Sequence, residues 1–175
     1  MSKFLQETIR TVPNWPIEGV MFRDITTLLQ HPGGLRYVSD AFYERYKDEG
    51  VSKVAGIDAR GFIFGALLAA RLGVGFVPVR KKGKLPFGSI EESYDLEYGS
   101  AVLEVHSDAI TAGEKVVIID DLIATGGTVA AAARLVTRLG GEILELAFVI
   151  ELPDLGGREK VPNHEIYALT QYAGE

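Results

Sequence analysis

Hydrophobic residues along the first half of the chain alternate between helix-like and strand-like spacing. An apolar stripe with three- and four-residue spacing predicts a helix near Gly34–Lys47, and it consists of Leu35, Val38, Phe42 and Tyr46. Val51–Ile57 has the composition of a short strand. Gly61–Leu72 is apolar on nearly every side, which is typical of a helix buried between a sheet and another element. Gly75–Val79 is predicted to be a second strand.

The second half resumes this alternation after a long polar interval. Residues 80–100 are polar and contain glycine and tyrosine, which predicts a long loop or an irregular hairpin. Loops of this length are uncommon in compact domains and are often functional. The elements predicted after it are strands at Ala101–His106, Lys115–Ile119 and Ile143–Ile150 and a helix at Thr128–Leu139. Strands that alternate with helices predict an α/β fold around a mostly parallel sheet.

The two ends of the chain are less regular than its middle. The leading segment contains Pro13, Pro16 and Gly19, and the tail from Pro153 onward lacks a clear period. We expect both ends to be additions to the core. A length of 175 residues suits a single core, so we expect residues 1–175 to form one domain.

Charge and composition limit the classes of molecule that this protein is expected to bind. The formal net charge is −6, whereas proteins that mainly bind nucleic acid usually carry a basic excess. The densest basic cluster, Arg80-Lys81-Lys82-Gly83-Lys84, therefore suggests a small anionic ligand. No apolar stretch approaches the roughly 20 residues that span a bilayer. The chain has no cysteine, which fits a cytoplasmic location, and its three histidines are too scattered to suggest a metal site.

The most informative segment is Val116–Thr128, in which four aliphatic residues, two aspartates and a small-residue turn precede a helix. Ligands of open α/β sheets bind outside the carboxyl ends of the strands. Free N–H groups and the helix dipole favour a phosphate at such a turn, with close approach at Gly126 and Gly127. The Asp120 and Asp121 carboxylates suit sugar hydroxyls, or a magnesium ion that carries further phosphates of the ligand.

Turn chemistry alone leaves a plain structural turn as an open alternative at Thr125–Thr128. Two common nucleotide-binding motifs are disfavoured. The chain has no G-x-x-x-x-G-K-[ST] sequence, and Gly73-Val74-Gly75 does not complete G-x-G-x-x-G because Pro78 occupies the last position.

Val117–Thr128 resembles the phosphoribosyl-pyrophosphate signature of the type I phosphoribosyltransferases. Other segments resemble, in order, those members of the family that act on adenine: Gly19–Ile25, Asp58–Phe62, Arg80–Pro86, Leu96–Gly99 and Gly157–Lys160. The resemblance covers nearly the whole chain. It implies a mostly parallel sheet flanked by helices, a small hood formed by both termini, and a long flexible loop.

The resemblance also implies a reaction, a cofactor and an assembly. The expected enzyme is a magnesium-dependent glycosyltransferase of purine salvage, which transfers 5-phosphoribose from phosphoribosyl pyrophosphate to adenine and releases AMP and pyrophosphate. The magnesium is expected to be held mainly by the substrate, with no certain protein ligand. A homodimer is expected, without nucleic acid or membrane partners.

The resemblance assigns residues to each part of the substrates. The 5-phosphate and ribose are assigned to Asp120, Asp121, Ala124, Thr125, Gly126, Gly127 and Thr128. Pyrophosphate is assigned to Asp58, Ala59, Arg60, Lys81 and Lys84, with a cis peptide bond expected in the Asp58–Gly61 turn. Adenine is assigned to the backbone of Met21, Phe22 and Arg23, with Met21 and Leu152 on either side of the ring. The catalytic set is Glu97, Tyr98 and Arg60, with Glu97 as the acid/base group.

Two other functions remain as alternatives. The first is a regulator that binds phosphoribosyl pyrophosphate without catalysis, although the chain lacks room for a DNA-binding module. The second is a sister enzyme for another purine base, which the segment Phe22–Ile25 argues against. The centre of the long loop, Phe87–Asp95, matches no pattern of the family, so its closing behaviour is not predicted.

Overall fold

The computed structural model describes residues 2–95 and 99–174. Its centre is a seven-stranded sheet of order β5-β6-β4-β3-β7-β8-β9. The strands are β3 (Lys53–Ile57), β4 (Gly75–Lys81), β5 (Ser89–Asp95), β6 (Ser100–His106), β7 (Lys115–Ile123), β8 (Glu142–Glu151) and β9 (Ile166–Gln171). The five strands from β4 to β9 in this order are parallel, and the β5–β6 hairpin adds two antiparallel strands. The predicted α/β fold with a mostly parallel sheet is confirmed.

Helices cover both faces of this sheet. The helices are α1 (Lys3–Thr8), α2 (Thr26–Gln30), α3 (Gly34–Tyr46), α4 (Gly61–Leu72) and α5 (Gly127–Arg138). Side chains alternate along β7, so Val116 and Ile118 pack with α5, and Val117 and Ile119 pack with the cluster that contains α3 and α4. Burial on both faces explains why β7 begins as a continuous aliphatic run.

Helix α4 has the predicted bounds but is less buried than expected. Phe64 and Leu68 are buried, whereas Ala66 and Ala70 are exposed and Leu67 keeps 36% of its surface. The helix packs between the sheet and α3, as predicted, but its remaining apolar face is not covered by any of the residues that the structure describes.

The termini carry more regular structure than predicted. In the leading segment, β1 (Arg10–Pro13) and β2 (Met21–Asp24) form a small antiparallel hairpin between α1 and α2. In the tail, two short 3-10 turns at Pro153–Leu155 and Gly157–Lys160 precede β9. Strand β9 pairs with β8 and sends alternate side chains into both cores, so the tail belongs to the central sheet.

The polar interval after β4 is a hairpin rather than a loop over most of its described length. Strands β5 and β6 pair from Ser89↔His106 to Asp95↔Ser100. This confirms the hairpin alternative for residues 89–95 and 100–106. Among the described residues, no helix has both the length and the apolar character that a membrane crossing requires.

Candidate active site

Strand β7 runs further than its aliphatic residues indicate. It continues to Ile123 because β8 pairs with it as far as Ile123↔Glu151. Asp120 and Asp121 therefore lie within the strand, whereas the predicted strand ended at Ile119, directly before them. Asp121 is only 3% exposed. A buried carboxylate is costly unless it is paired or hydrogen-bonded, and the partner of Asp121 lies shortly after the neighbouring strand β3.

That partner is Arg60, which precedes α4 at the carboxyl end of β3. Its Nε donates to Asp121 Oδ2 at 2.5 Å, while half of the Arg60 side chain remains exposed. Burial and the adjacent Asp121 charge raise the pKa of Asp120 well above its ordinary value, and the Arg60 charge partly opposes this effect. The two carboxylates are therefore an acidic pair that gains from a cation or a hydroxyl donor.

The turn between β7 and α5 presents free backbone donors. Residues 124–126 connect the two elements, and no side chain caps the first turn of the 12-residue helix α5. Its first N–H groups thus face outward without a side-chain acceptor, at the positive end of the helix dipole. A depression of about 230 Å³ lies there, lined by Arg60, Asp120, Asp121, Leu122, Ile123, Ala124, Thr125, Gly126, Gly127, Thr128, Val129 and Phe148. All seven residues predicted for the 5-phosphate and ribose are in this lining.

A second depression adjoins the first at Arg60, Asp120 and Asp121. It measures about 260 Å³ and is completed by Asp58, Ala59 and Lys81. The Asp58–Ala59 peptide bond is cis, as the resemblance implied. Asp58 Oδ2 accepts from Arg80 Nε at 2.9 Å, so this carboxylate is bound by an arginine of β4. The second depression brings together four of the five residues predicted for pyrophosphate.

The fifth of these residues, Lys84, is held through its backbone. Its N–H donates to Glu104 Oε1 at 2.7 Å and its carbonyl accepts from Arg80 Nη1 at 3.1 Å. Lys84 is exposed, as are Lys82 and Gly83 before it. The lysine turn, defined here as Lys81–Leu85, therefore presents its side chains to solvent beside the second depression.

The residues predicted for adenine lie on two different elements. Met21, Phe22 and Arg23 form most of β2, whereas Leu152 follows β8 and donates its N–H to the carbonyl of Ile123 at 3.0 Å. Phe22 connects the hairpin to the site, because the Arg60 guanidinium carbon lies 6.0 Å from its ring centroid. Met21 is 37% exposed and Leu152 is 9% exposed.

The tail packs on the turn of residues 124–126, called the phosphate turn here because a phosphate is predicted to bind there, through a backbone-to-backbone contact. A Cβ atom at Gly126 would lie 2.3 Å from the carbonyl oxygen of Gly157, and Gly126 has a φ of +80°. A Cβ atom at Gly157 would lie 2.4 Å from the carbonyl oxygen of Ala124. Only glycine fits at both positions, since any side chain would force these two segments apart.

An ion pair that sequence reasoning missed holds this tail in place. Arg158 donates from Nε to Glu151 Oε1 at 2.5 Å and from Nη2 to Oε2 at 2.7 Å, and Gln171 Nε2 adds a bond of 2.8 Å. Glu151 is buried at the end of β8. The Arg158 hydrogen bond lowers the pKa of Glu151 despite its burial. An acid directly after the aliphatic run of β8, near Arg158, was the available signal for this pair.

The predicted catalytic residues Glu97 and Tyr98 lie outside the described residues. The third, Arg60, lies between the two depressions. Within residues 2–95 and 99–174, no three acidic or histidine side chains form a protein-only metal site. The described arrangement can hold an elongated anion, with N–H donors at one end, cations at the other and carboxylates between them.

Comparison with known proteins places this geometry in a family. Residues 24–171 match the family model described as a phosphoribosyl transferase domain. The adenine phosphoribosyltransferase of Desulfosudis oleivorans is 61% identical over 171 residues, covering 98% of this chain and 99% of that protein.

Solved structures give the same result. The adenine phosphoribosyltransferase of Rhodothermus marinus superposes with a TM-score of 0.91 at 49% identity, with 97% of each chain covered. That of Saccharomyces cerevisiae, complexed with an iminoaltritol bisphosphate and adenine, has a TM-score of 0.91 at 42% identity, covering 96% of this chain and 97% of that one.

Proposed function

The chain belongs to the phosphoribosyl transferase family, and within it to the adenine phosphoribosyltransferases; on this premise we propose that its two adjoining depressions hold the two ends of phosphoribosyl pyrophosphate. The enzyme transfers the 5-phosphoribosyl group of that substrate to adenine, and it produces AMP and pyrophosphate in purine salvage. Residues 1–175 act as one phosphoribosyltransferase domain.

The observation that carries the site assignment is the uncapped start of α5. Its free N–H groups, with the hydroxyls of Thr125 and Thr128, bind the 5-phosphate. Asp120 and Asp121 then face the ribose hydroxyls, as carboxylates accept hydrogen bonds from hydroxyl groups. The raised pKa of Asp120 supports this role, because a donor or cation near the acidic pair lowers the cost of ionising both groups.

The second depression holds the leaving pyrophosphate. Displacement at the anomeric carbon passes through an oxocarbenium-like transition state, in which negative charge grows on the leaving group. Arg60 and Lys81 line the depression, and Lys84 lies on the adjacent lysine turn. These cations stabilise that growing charge. Arg60 leaves Asp121 as it binds pyrophosphate, and this exchange frees the carboxylate for the ribose.

The cofactor is Mg²⁺, held mainly by oxygen atoms of the substrate. Asp58, Asp120 and Asp121 line one depression and supply the oxygen ligands that this ion prefers, and they fit an ion with few protein ligands. When bound, the ion neutralises phosphate charge and makes pyrophosphate a better leaving group.

Adenine is selected by the backbone of β2. Adenine has an amino donor where hypoxanthine and guanine have a carbonyl acceptor. A backbone acceptor within Met21–Arg23 therefore leaves the wrong base with an unpaired buried group, which is a strong form of discrimination. Met21 and Leu152 enclose the ring. Glu97, beside Tyr98, acts as the acid/base group for the purine proton, and this role rests on the family resemblance.

The enzyme acts as a cytoplasmic homodimer. The open apolar face of α4, with Ala66, Leu67 and Ala70 exposed, is a surface of the kind that protein contacts cover. The absence of cysteine suits a reducing compartment.

The decisive assay measures nucleotide formation from phosphoribosyl pyrophosphate and magnesium with adenine, hypoxanthine and guanine in parallel. We expect turnover with adenine and at least about 100-fold less with either oxopurine. Turnover with an oxopurine would contradict the assignment of Met21–Arg23. Binding of the sugar pyrophosphate without any turnover would instead favour a regulator.

A further inference from the structure

One buried carboxylate beside the site has no role in the scheme above. Glu104 lies on β6 between the buried residues Leu103 and Val105, and it is itself only 3% exposed. A buried carboxylate is costly unless it is paired or hydrogen-bonded. Glu104 is therefore expected to have hydrogen-bond donors close to it.

The partners of Glu104 are backbone groups of the lysine turn. Its Oε1 accepts from the N–H of Lys84 at 2.7 Å and from the N–H of Leu85 at 2.8 Å. Its Oε2 accepts from the Ser89 hydroxyl at 3.4 Å. Desolvation raises the pKa of Glu104, but the backbone donors of the turn outweigh it and hold the pKa below its ordinary value. The carboxylate thus remains charged and is satisfied by the turn.

The same turn is tied to the pyrophosphate depression from its other side. Arg80 bonds the Lys84 carbonyl through Nη1 and Asp58 Oδ2 through Nε, at 3.1 and 2.9 Å. The N–H of Lys82 donates to the Val102 carbonyl at 2.9 Å. A continuous series of hydrogen bonds therefore runs from the cis turn at Asp58, through the lysine turn, to Glu104.

We propose that Glu104 is a positioning residue for pyrophosphate: its carboxylate fixes the backbone of Lys84 and Leu85, and thereby the place from which Lys84 reaches the leaving group beside Lys81. It does not touch the substrate. A carboxylate suits this task because it accepts several N–H bonds and offers no competing donor. The proposal rests on the assignment of Lys81 and Lys84 to pyrophosphate.

The test compares two buried carboxylates, Glu104 at 3% exposure and Glu145 at 6%. Glu104→Ala is expected to raise KM for phosphoribosyl pyrophosphate, and for pyrophosphate in the reverse reaction, about tenfold. KM for adenine and for AMP should change less than about twofold. The control is Glu145→Ala, which removes a buried carboxylate bound by Arg45 and Tyr46 away from both depressions. It should lower Tm without changing the ratio of the KM values.

A more conservative variant tests the same role in case Glu104→Ala does not fold. Glu104→Gln keeps an oxygen for the two N–H groups but loses the charge, so we expect about a threefold rise in the same two constants. If both Glu104 variants change all four KM values alike, or match Glu145→Ala, Glu104 is merely structural and the proposal is wrong.

Removal of the two lysines separates this proposal from the assignment on which it rests. In a Lys81→Ala/Lys84→Ala background, Glu104→Ala should add less than about twofold, because its effect passes through those side chains. Full additivity would overturn the positioning role. If the lysine double variant itself leaves both constants unchanged, the pyrophosphate assignment fails, and the positioning role fails with it. If it changes them and Glu104→Ala does not, only the positioning role fails.

Discussion

The phosphate turn and the lysine turn, which we propose to bind opposite ends of one substrate, are built in physically different ways. The phosphate turn uses backbone N–H groups at the start of α5, and the tail packs against it with no room for a side chain. The lysine turn uses exposed side chains whose backbone is held by Glu104 and Arg80. The first region depends on steric fit, whereas the second depends on charge and hydrogen bonds.

The two turns therefore tolerate different changes. A backbone site against a packed neighbour fails when a single methyl group is added, because neither segment can move independently. A side-chain site at an exposed turn adapts more readily, since long lysine side chains reorient. Three substitutions test this contrast.

The largest effect is expected from Gly126→Ala. The added Cβ would overlap the Gly157 carbonyl at 2.3 Å and would also occupy a backbone with φ of +80°. A displacement of about 1 Å at a substrate-positioning group can cost about 100-fold, so we expect at least that loss in kcat/KM for phosphoribosyl pyrophosphate.

The matched control for this prediction is Gly83→Ala in the lysine turn. Its φ is also positive, at +82°, but no atom lies within 4 Å of the added Cβ. It should show only the backbone strain of about 1–2 kcal/mol in unfolding free energy. Comparable kinetic losses in the two variants would contradict the contrast between the turns.

An intermediate effect is expected from Asp121→Asn, at the junction of the two depressions. The change removes the carboxylate charge that holds Arg60 and is assigned to the ribose, so KM for phosphoribosyl pyrophosphate should rise about 10- to 100-fold. Steady-state kinetics at limiting sugar substrate measures this rise. Asp40→Asn, which loses an exposed pair with Arg71 far from the site, should leave KM unchanged. Near-normal kinetics for Asp121→Asn would remove Asp121 from the site.

The smallest effect on catalysis is expected from Arg158→Ala, because this change removes the ion pair that holds the tail against the phosphate turn and is expected mainly to lower stability. The pKa of Glu151 is lowered in the folded state, so its ion pair stabilises the protein above the ordinary pKa of 4.5 and is lost as pH falls below that value. Because half of Arg158 is exposed, we expect a Tm loss that corresponds to about 1–3 kcal/mol near pH 7.

Thermal unfolding from pH 7 to pH 3 checks this last prediction. The difference in stability between the wild-type protein and Arg158→Ala should shrink toward acid, because protonation of Glu151 removes the ion pair from the wild-type protein and the variant has no such pair to lose. A difference that stays constant down to pH 3 would show that the ion pair is not its cause.

Local sequence was sufficient where a function depends on neighbouring residues. Asp120-Asp121 and Gly126-Gly127 lie within one short segment after the aliphatic run, and the structure places these four residues in one depression. Chain connectivity keeps such groups together in almost any fold. Helix α3 was likewise predictable from apolar spacing that repeats along it, and α4 from a stretch that is apolar on nearly every side.

The tertiary structure alone decided the contacts between distant segments. Glu104 lies 20 residues from Lys84, and a glutamate between Leu103 and Val105 gives no sign in the sequence that it accepts bonds from a turn. The length of β7 beyond Ile119 and the recruitment of β9 were set by pairing with β8. Hydrogen bonds between strands depend on which strands lie side by side, and this strand order is set only when the chain folds. The fold class and the adjacent placing of Asp120-Asp121 and the glycine-rich turn were therefore readable from the chain, whereas the contacts that hold this site in shape depend on the fold.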